Sequence, residues 1–298
     1  MNKAAFVALA GRPSVGKSTL VNLLCGAKVA IVSVVPQTTR NAVRGILTRP
    51  EGQLVFVDTP GRHISEKKLN KKLMDVADRA LDDSELVLYV LDASRSPGPE
   101  EEAVAAKLFA FQDRTIAVIN KCDAADADPK MLKSFLEKSL PDLPPSRHFE
   151  ISCLKKEGID PLLNCLFEMA GEGEPFYPEE YYTDQDMAFR ISEIIREKAM
   201  NRLRQELPHS LYVEVADLEL KDCPAGKKRL WVRAFILTER ESQKGMIVGR
   251  GGEMIKAIGQ AARKELNTIF DWKVELDLRV KTGKDWRQND RVLKKIIP

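Results

Sequence analysis

Short apolar runs alternate with amphipathic segments along the N-terminal half of the chain. The runs at residues 5–10, 54–57, 86–91 and 115–119 are almost continuously apolar, which is typical of strands buried on both faces. Between them, as in residues 99–111, apolar positions recur with the helical period. Alternating strands and helices predict an α/β fold: a mostly parallel sheet with right-handed crossovers and helices on both faces.

The pattern changes beyond residue 170. Glycines and prolines at 171–178 interrupt the periodicity and predict a linker. A long amphipathic helix is then predicted over 184–207. The elements predicted after it are strands at 211–215, 230–237 and 273–280 and a basic helix at 288–296. The sequence thus predicts a first domain of residues 1–173, a linker of 174–185 and an α+β domain of 186–298.

Composition narrows the class of protein. Apolar residues make up 44% of the 298 residues and charged residues 31%, so the chain can bury a core and stay in solution. No apolar run approaches the roughly 18–20 residues that span a bilayer. The five cysteines are scattered without metal-ligand spacing, which predicts reduced packing residues in a cytoplasmic protein.

The small net charge of +3 conceals an asymmetry. Residues 1–180 carry a net charge of −3, whereas residues 181–298 carry +6. A basic C-terminal part favours a polyanionic partner such as nucleic acid or an anionic membrane surface. A solvated charged surface with no such partner would show the same charge.

The segment GRPSVGKS at residues 11–18 fits the pattern G-x-x-x-x-G-K-[ST] and lies between a predicted strand and a predicted helix. Backbone N–H groups and the helix dipole favour phosphate at such a helix start. Lys17 would reach the β- and γ-phosphates, and the Ser18 hydroxyl would ligate Mg²⁺. A glycine turn without a ligand is the alternative, but strand, loop and helix all agree with phosphate. The predicted phosphate-binding residues are Gly11, Arg12, Pro13, Ser14, Val15, Gly16, Lys17, Ser18 and Thr19.

The motif Asp58-Thr59-Pro60-Gly61 follows the run at 54–57. Ligands of parallel sheets bind at the carboxyl ends of the strands, where this motif lies. Asp58 would hold Mg²⁺ through water, and the Gly61 N–H could approach the γ-phosphate. Alone, D-x-x-G would be a turn; its position beside the phosphate loop favours nucleotide binding.

The motif Asn120-Lys121-Cys122-Asp123 follows the run at 115–119. The Asp123 carboxylate can accept from the ring N1–H and the exocyclic amine of guanine. Adenine lacks that pair of donors, so such a site can discriminate by roughly 10⁴-fold. Lys121 would lie along the base, and Asn120 would tie this loop to the phosphate loop. After Ser152 in the next loop, the Cys153 N–H could donate to the guanine oxygen.

These motifs, in this order, resemble the translation-factor-related GTPases over residues 1–173, and Gln37-Thr38-Thr39-Arg40 is similar to the Era and EngA branch. The resemblance implies binding of GTP and GDP, slow GTP hydrolysis, and switch segments at 33–42 and 59–70. It implies that Thr39, in preference to Thr38, ligates Mg²⁺ while the γ-phosphate is present. The implied catalytic residues are Lys17, Thr39 and Gly61, and the implied metal ligands are Ser18, Thr39 and Asp58.

Two positions depart from that branch. Arg62 follows D-x-x-G, where the branch has a hydrophobic residue. It could supply positive charge to the transition state, or it could point to solvent. Ser14 replaces an asparagine that the branch associates with K⁺. Stimulation by K⁺ therefore stays open.

A G-x-x-G motif in the C-terminal part spans Gly249 to Gly252 between two predicted helices. It resembles the prokaryotic KH domain, in which a single-stranded RNA backbone passes close to this loop. A carboxylate at Gly249 is expected to block that backbone. The helix–turn–helix could also be a plain core element. The predicted RNA-binding residues are Lys244, Ile247, Val248, Gly249, Arg250, Gly251, Gly252, Ile255 and Lys256.

One GTPase domain followed by a KH domain resembles the Era branch, because EngA has two GTPase domains. The resemblance implies binding to the 3′ end of small-subunit ribosomal RNA, a role in 30S subunit maturation and peripheral membrane association; we expect a monomer. An RNA-binding module whose weak GTPase half serves as timer or scaffold stays open. A P-loop kinase is disfavoured by Asn-Lys-Cys-Asp and by the lack of a lid segment.

Overall fold

In this computed structural model, residues 2–61, 68–222, 228–283 and 286 are described, and they form two compact units. The first unit holds the residues up to 30 and 39–184. The second holds residues 31–38 and the described residues from 185 to 286. The predicted helix at 288–296 and Arg62 lie outside the described residues.

The first unit is built on a seven-stranded sheet of order β2-β3-β1-β4-β5-β6, with β7 paired to β1. The pairings of β1, β3, β4, β5 and β6 are parallel, whereas β2 and β7 run antiparallel to their neighbours. The central β4 is buried at every position, as its continuous apolar run predicts. The strands are β1 (Lys3–Ala10), β2 (Val43–Arg49), β3 (Gly52–Asp58), β4 (Leu86–Asp92), β5 (Thr115–Asn120), β6 (His148–Glu150) and β7 (Gly171–Glu172).

Within the described part of the first unit, five α-helices accompany this sheet. On one face, Tyr89 and Leu91 of β4 pack in a core cluster with Val104, Leu132 and Leu136 of two helices. Leu88 and Val90, which alternate with them, are fully buried towards the other face. The helices are α1 (Lys17–Cys25), α2 (Lys68–Asp82), α3 (Pro99–Leu108), α4 (Pro129–Ser139) and α5 (Ile159–Met169).

The second unit has a three-stranded sheet of order β10-β9-β8, in which β9 is antiparallel to β8 and parallel to β10. Its core joins Ile191 and Ile195 to Val232 and Ile236 of the sheet and to Ile258. The elements are α6 (Met187–Met200), α7 (Leu207–Ser210), β8 (Tyr212–Asp222), β9 (Lys228–Thr238), α8 (Glu241–Val248), α9 (Glu253–Ile269) and β10 (Lys273–Thr282).

The prediction of one helix over residues 184–207 is wrong. The helix α6 begins after Asp186, whose carboxylate caps it by accepting from the Phe189 N–H at 2.8 Å. It ends at Met200, because the following segment turns and Gln205 has φ of +56°, a left-handed value that a continuous α-helix does not contain. Amphipathic periodicity continued through the turn and concealed this break.

Candidate functional site

The phosphate loop joins β1 to α1. Its buried Lys17 side chain folds back onto the backbone of the loop. The Lys17 ammonium donates to the carbonyl oxygens of Gly11 (2.8 Å) and Arg12 (3.0 Å). Burial lowers the pKa of Lys17 to about 8, although Asp58 and Glu101 act to raise it. A desolvated ammonium in this position gains strongly from an added phosphate oxygen. Thr19 lies half-buried in the first turn of α1.

Asn120 holds the phosphate loop to the end of β5. Its Nδ2 donates to the Val15 carbonyl oxygen at 2.9 Å, as the sequence predicts. The close approach depends on Gly16, which has φ of +105° and at which an added Cβ would lie 2.4 Å from Asn120 Nδ2. This glycine therefore makes room for Asn120 as well as for the curled backbone.

Three oxygen-bearing side chains converge beside Lys17. The Ser18 hydroxyl donates to Asp58 Oδ2 at 2.6 Å and lies 3.0 Å from the Thr39 hydroxyl, which itself contacts the same carboxylate oxygen at 3.3 Å. Asp58 is fully buried, and its other oxygen, Oδ1, has no hydrogen-bond partner. Burial raises the pKa of Asp58, against the opposing effects of Ser18, Lys17 and Thr39. Hard oxygen ligands and an unpaired buried carboxylate oxygen fit Mg²⁺.

Thr38, next to Thr39, and Thr59, next to Asp58, do not join this cluster of oxygen atoms. Their hydroxyl groups donate to backbone carbonyl oxygens. The Thr38 hydroxyl donates to the Val35 carbonyl oxygen at 2.6 Å, and the Thr59 hydroxyl to that of Leu9 at 2.6 Å. Gly61 lies against the phosphate loop, since an added Cβ would be 2.7 Å from the Pro13 backbone. Pro60 beside it is buried. The D-x-x-G segment is thus packed directly onto the loop that the sequence assigns to phosphate.

Lys121 is anchored by a residue that the sequence analysis missed. Its ammonium donates to Asp92 Oδ2 (2.6 Å) and to the Ser14 carbonyl oxygen (2.9 Å). Burial alone would raise the pKa of Asp92, but the hydrogen bonds from Lys121 and Ser94 hold it below its usual value. Asp92 ends β4 next to the strand that ends in Asn120, and that position was the available signal.

The predicted base-recognition loop brings Asp123 and Ser152 together. The Ser152 hydroxyl donates to Asp123 Oδ1 at 2.6 Å. The Cys153 N–H donates to Asn120 Oδ1 at 3.2 Å, so a guanine oxygen here would compete with that side chain. Burial, with Asp123 nearby, raises the pKa of the Cys153 thiol to about 12, so it stays protonated at neutral pH.

Residues 31–38, which include most of the predicted first switch segment, belong to the second unit. Within that unit the Val32 N–H donates to Glu197 Oε1 at 2.7 Å, and the Thr38 carbonyl oxygen accepts from Arg196 Nη2 at 2.6 Å. Arg196 and Glu197 are each only 2% exposed. The sequence predicts an amphipathic helix here but gives no sign that these two charged residues are buried.

The glycine turn between α8 and α9 contains glycines of two kinds. Gly249 has φ of +75°, and an added Cβ would lie 2.9 Å from the Met254 backbone nitrogen, so the fold itself requires this glycine. At Gly251 and Gly252 an added Cβ would meet nothing within 4 Å. The open approach expected for a nucleic-acid backbone therefore exists at Gly251 and Gly252.

Side chains near this turn differ in availability. Arg250 and Lys256 are exposed, and Val248 and Ile255 are half-buried. Lys244 pairs with Glu241 at 3.1 Å. Ile247 departs from its predicted place in an RNA groove: its side chain is fully buried in the core of the second unit and cannot reach a base. Met246, next to Ile247, is 60% exposed.

Two protein-family models match separate parts of the chain, one N-terminal and one C-terminal. Residues 6–121 match the family described as 50S ribosome-binding GTPase, and residues 206–287 match the KH domain. The chain is 50% identical over 290 residues to the GTPase Era of Treponema denticola, covering 97% of this chain and 98% of that protein. It is 44% identical over 296 residues to the GTPase Era of Borreliella afzelii, covering 99% of each.

Two solved structures are similar along nearly the whole chain. One is a variant of Aquifex aeolicus Era bound to GDP·AlF4⁻, at 34% identity and a TM-score of 0.91, covering 98% of each chain. The other is Era in complex with MgGDPNP and nucleotides 1506–1542 of 16S ribosomal RNA. It is 33% identical with a TM-score of 0.89, covering 99% of this chain and 98% of the other.

Proposed function

Because the chain belongs to the Era family of GTPases, we propose that it is a guanine-nucleotide switch that binds the 3′ end of small-subunit ribosomal RNA and assists 30S subunit maturation. In the proposed site, Lys17 binds the β- and γ-phosphates, and Ser18, Thr39 and Asp58 hold Mg²⁺, Asp58 through water. Bound Mg²⁺ would neutralise charge on the phosphate oxygens. We assign the N–H of Gly61 to the γ-phosphate.

The observation that carries the nucleotide half is the convergence of Ser18, Thr39 and Asp58 beside Lys17. It favours Thr39 as the metal ligand, because the Thr38 hydroxyl is bonded to backbone in the second unit. The domain limits proposed are residues 1–173, a linker of 174–185 and 186–298. The structure groups residues 174–184 with the first unit.

Asp123→Asn tests the base site. An amide can pair with the extra oxygen of xanthine but opposes the donors of guanine, so GTP affinity should fall by about 100-fold while xanthosine triphosphate gains. Asp126→Asn is the matched control, because Asp126 is exposed three residues away. Fluorescence titration of both variants with both nucleotides measures the effect. An unchanged preference for GTP in Asp123→Asn removes Asp123 from the base site.

The RNA half of the proposal rests on the open turn. Gly251 and Gly252 leave the backbone accessible, and the exposed Arg250 and Lys256 flank them with positive charge. The 16S ribosomal RNA fragment held by a protein of the same family suggests the 3′ end as ligand. Crosslinking in cells, followed by sequencing of the bound RNA, tests this: reads should concentrate at the 3′ end of small-subunit RNA.

Hydrolytic competence separates two versions of this function. A switch hydrolyses GTP at a rate that RNA or the 30S subunit stimulates, whereas a timer or scaffold with a weak GTPase half shows no stimulation. Single-turnover hydrolysis with and without the RNA fragment distinguishes them, and repeating it in K⁺ and Na⁺ tests the consequence of Ser14. Arg62→Ala in the same assay tests for a contribution of Arg62 to hydrolysis.

The remaining partners follow from the same proposal. We infer a cytoplasmic monomer that binds the 30S subunit. Among the described residues, every helix is too short or too polar to cross a bilayer. Co-sedimentation with 30S subunits, and separately with anionic vesicles, tests each partner; the proposal requires only the first.

A further inference from the structure

Glu101 does not occupy the solvated position that its sequence context indicates. It is the second of three consecutive glutamates in the first turn of α3, where the helix dipole favours negative charge. Glu102 is exposed, whereas Glu101 is fully buried. A buried carboxylate is costly unless other groups compensate its charge, so its partners indicate why it is there.

Those partners come from two other elements. Arg12 of the phosphate loop places Nε 3.0 Å from Glu101 Oε2, and the Tyr89 hydroxyl of β4 donates to Glu101 Oε1 at 2.8 Å. Tyr89 is fully buried and Arg12 is 9% exposed. Neither Arg12 Nε nor Glu101 Oε2 forms an aligned hydrogen bond, so the ion pair is held by charge at close range. Burial raises the pKa of Glu101, while Tyr89 and Arg12 favour its ionised form.

The backbone of Arg12 also contacts the cation of the phosphate loop. The carbonyl oxygen of Arg12 accepts from the Lys17 ammonium at 3.0 Å. The Arg12 side chain pairs with Glu101 of α3, and its carbonyl oxygen is bonded to Lys17. Both the side chain and the backbone of Arg12 are therefore fixed. A movement of the guanidinium would be transmitted to the peptide that orients the phosphate-binding cation.

We propose that Glu101 and Tyr89 are positioning residues for nucleotide binding, which act through Arg12 to hold the phosphate loop in its binding conformation. Glu101 pairs with Arg12, which is itself one of the predicted phosphate-binding residues, and Tyr89 acts on Arg12 through Glu101. The loop is thereby pre-organised, and the bound nucleotide is released more slowly. None of the motifs that identify the nucleotide site includes either residue.

The test measures binding and release of a fluorescent GDP analogue by the full chain. Glu101→Gln keeps the shape and removes the charge; Tyr89→Phe keeps the ring and removes the donor. We expect Glu101→Gln to weaken binding about tenfold, mostly through faster release, and Tyr89→Phe about threefold. Glu102→Gln, the exposed neighbour, should stay within about twofold. A general electrostatic role predicts the opposite sign, because removing a negative charge near phosphates would tighten binding.

A double-mutant cycle shows whether the effect passes through Arg12. In the Arg12→Gln background, adding Glu101→Gln should change GDP affinity by less than about twofold. Thermal unfolding of the nucleotide-free proteins identifies temperatures at which every variant is folded. If Glu101→Gln is unstable, Tyr89→Phe still tests the proposal, because it leaves the ion pair between Arg12 and Glu101 in place. The proposal is overturned by unchanged or tighter binding in Glu101→Gln, by unchanged binding in Tyr89→Phe, or by additive effects in the cycle.

Discussion

The nucleotide site and the glycine turn bind their proposed ligands by opposite means. The nucleotide site is an assembly of buried polar groups: Lys17, Asp58 and Asp92 are each almost or fully inaccessible and fixed by short hydrogen bonds. The turn is open backbone at Gly251 and Gly252. A compact, highly charged ligand requires pre-organised desolvated groups, whereas a single-stranded backbone requires space and mobile positive charge. Substitutions should therefore act through charge and geometry at one site and through bulk and salt dependence at the other.

Removing the buried cation should produce the largest effect. Lys17→Ala deletes the ammonium that lies against the Gly11 and Arg12 carbonyl oxygens. We expect GTP affinity to fall by at least about a thousandfold, which is roughly 4 kcal/mol. Lys130→Ala, which removes an exposed charge from α4, is the control. Calorimetric titration that finds normal GTP binding in Lys17→Ala would contradict the assignment of the phosphate loop.

Ile247→Ala sharpens the boundary between fold and RNA surface. Because Ile247 is fully buried, we expect this variant to lose about 2–4 kcal/mol in the free energy of unfolding of the second unit. Tryptophan fluorescence follows that unit alone, since all three tryptophans (Trp231, Trp272 and Trp286) belong to it. RNA affinity of the folded variant should stay within about twofold, whereas the half-buried Val248 should affect RNA when changed to Ala. If Ile247→Ala lost RNA binding while its free energy of unfolding stayed unchanged, Ile247 would be an RNA-contacting residue after all.

Arg250→Ala should have the smallest effect. Arg250 is exposed, so its contribution is one phosphate contact in a screened environment. We expect RNA affinity to fall by about two- to fivefold, and the slope of log affinity against log salt to decrease by about 0.7, as for one contact with a single strand. Anisotropy titrations at several salt concentrations measure both, with Lys130→Ala as the matched loss of charge. An unchanged salt slope would remove Arg250 from the RNA interface.

The sequence predicted those features that depend on local pattern. The continuous apolar run of β4 and the motif containing Asn120 determine strand burial and a loop-to-loop hydrogen bond, and both are found. The fold class, the Era branch and the KH domain were likewise predicted from motifs in their order and are confirmed. These features depend on residue types at fixed spacing along the chain, so they can be recognised in a single sequence.

Features that depend on burial of individual polar side chains were missed. Asp92, Glu101 and Arg196 have the sequence context of solvated charges, yet each has a partner far along the chain: Lys121 at 29 positions, Arg12 at 89 and Thr38 at 158. The same limit applies to Ile247, because helical periodicity does not say which apolar residue faces the core and which faces a ligand. Tertiary packing decides these cases.

The substitution Gly251→Asp tests whether the glycine turn binds RNA independently of the nucleotide site. Aspartate tolerates the φ of +55° at this position, and its Cβ meets no neighbour within 4 Å, so the fold should persist, unlike with a side chain at Gly249. Gly251→Asn has the same shape without the charge. Both variants are titrated with GDP and with a single-stranded fragment of the 3′ end of small-subunit ribosomal RNA. We predict at least about tenfold weaker RNA binding for Gly251→Asp, a smaller loss for Gly251→Asn and unchanged GDP affinity for both. RNA binding equal to that of the unmodified chain in a folded Gly251→Asp protein would show that this turn does not bind RNA.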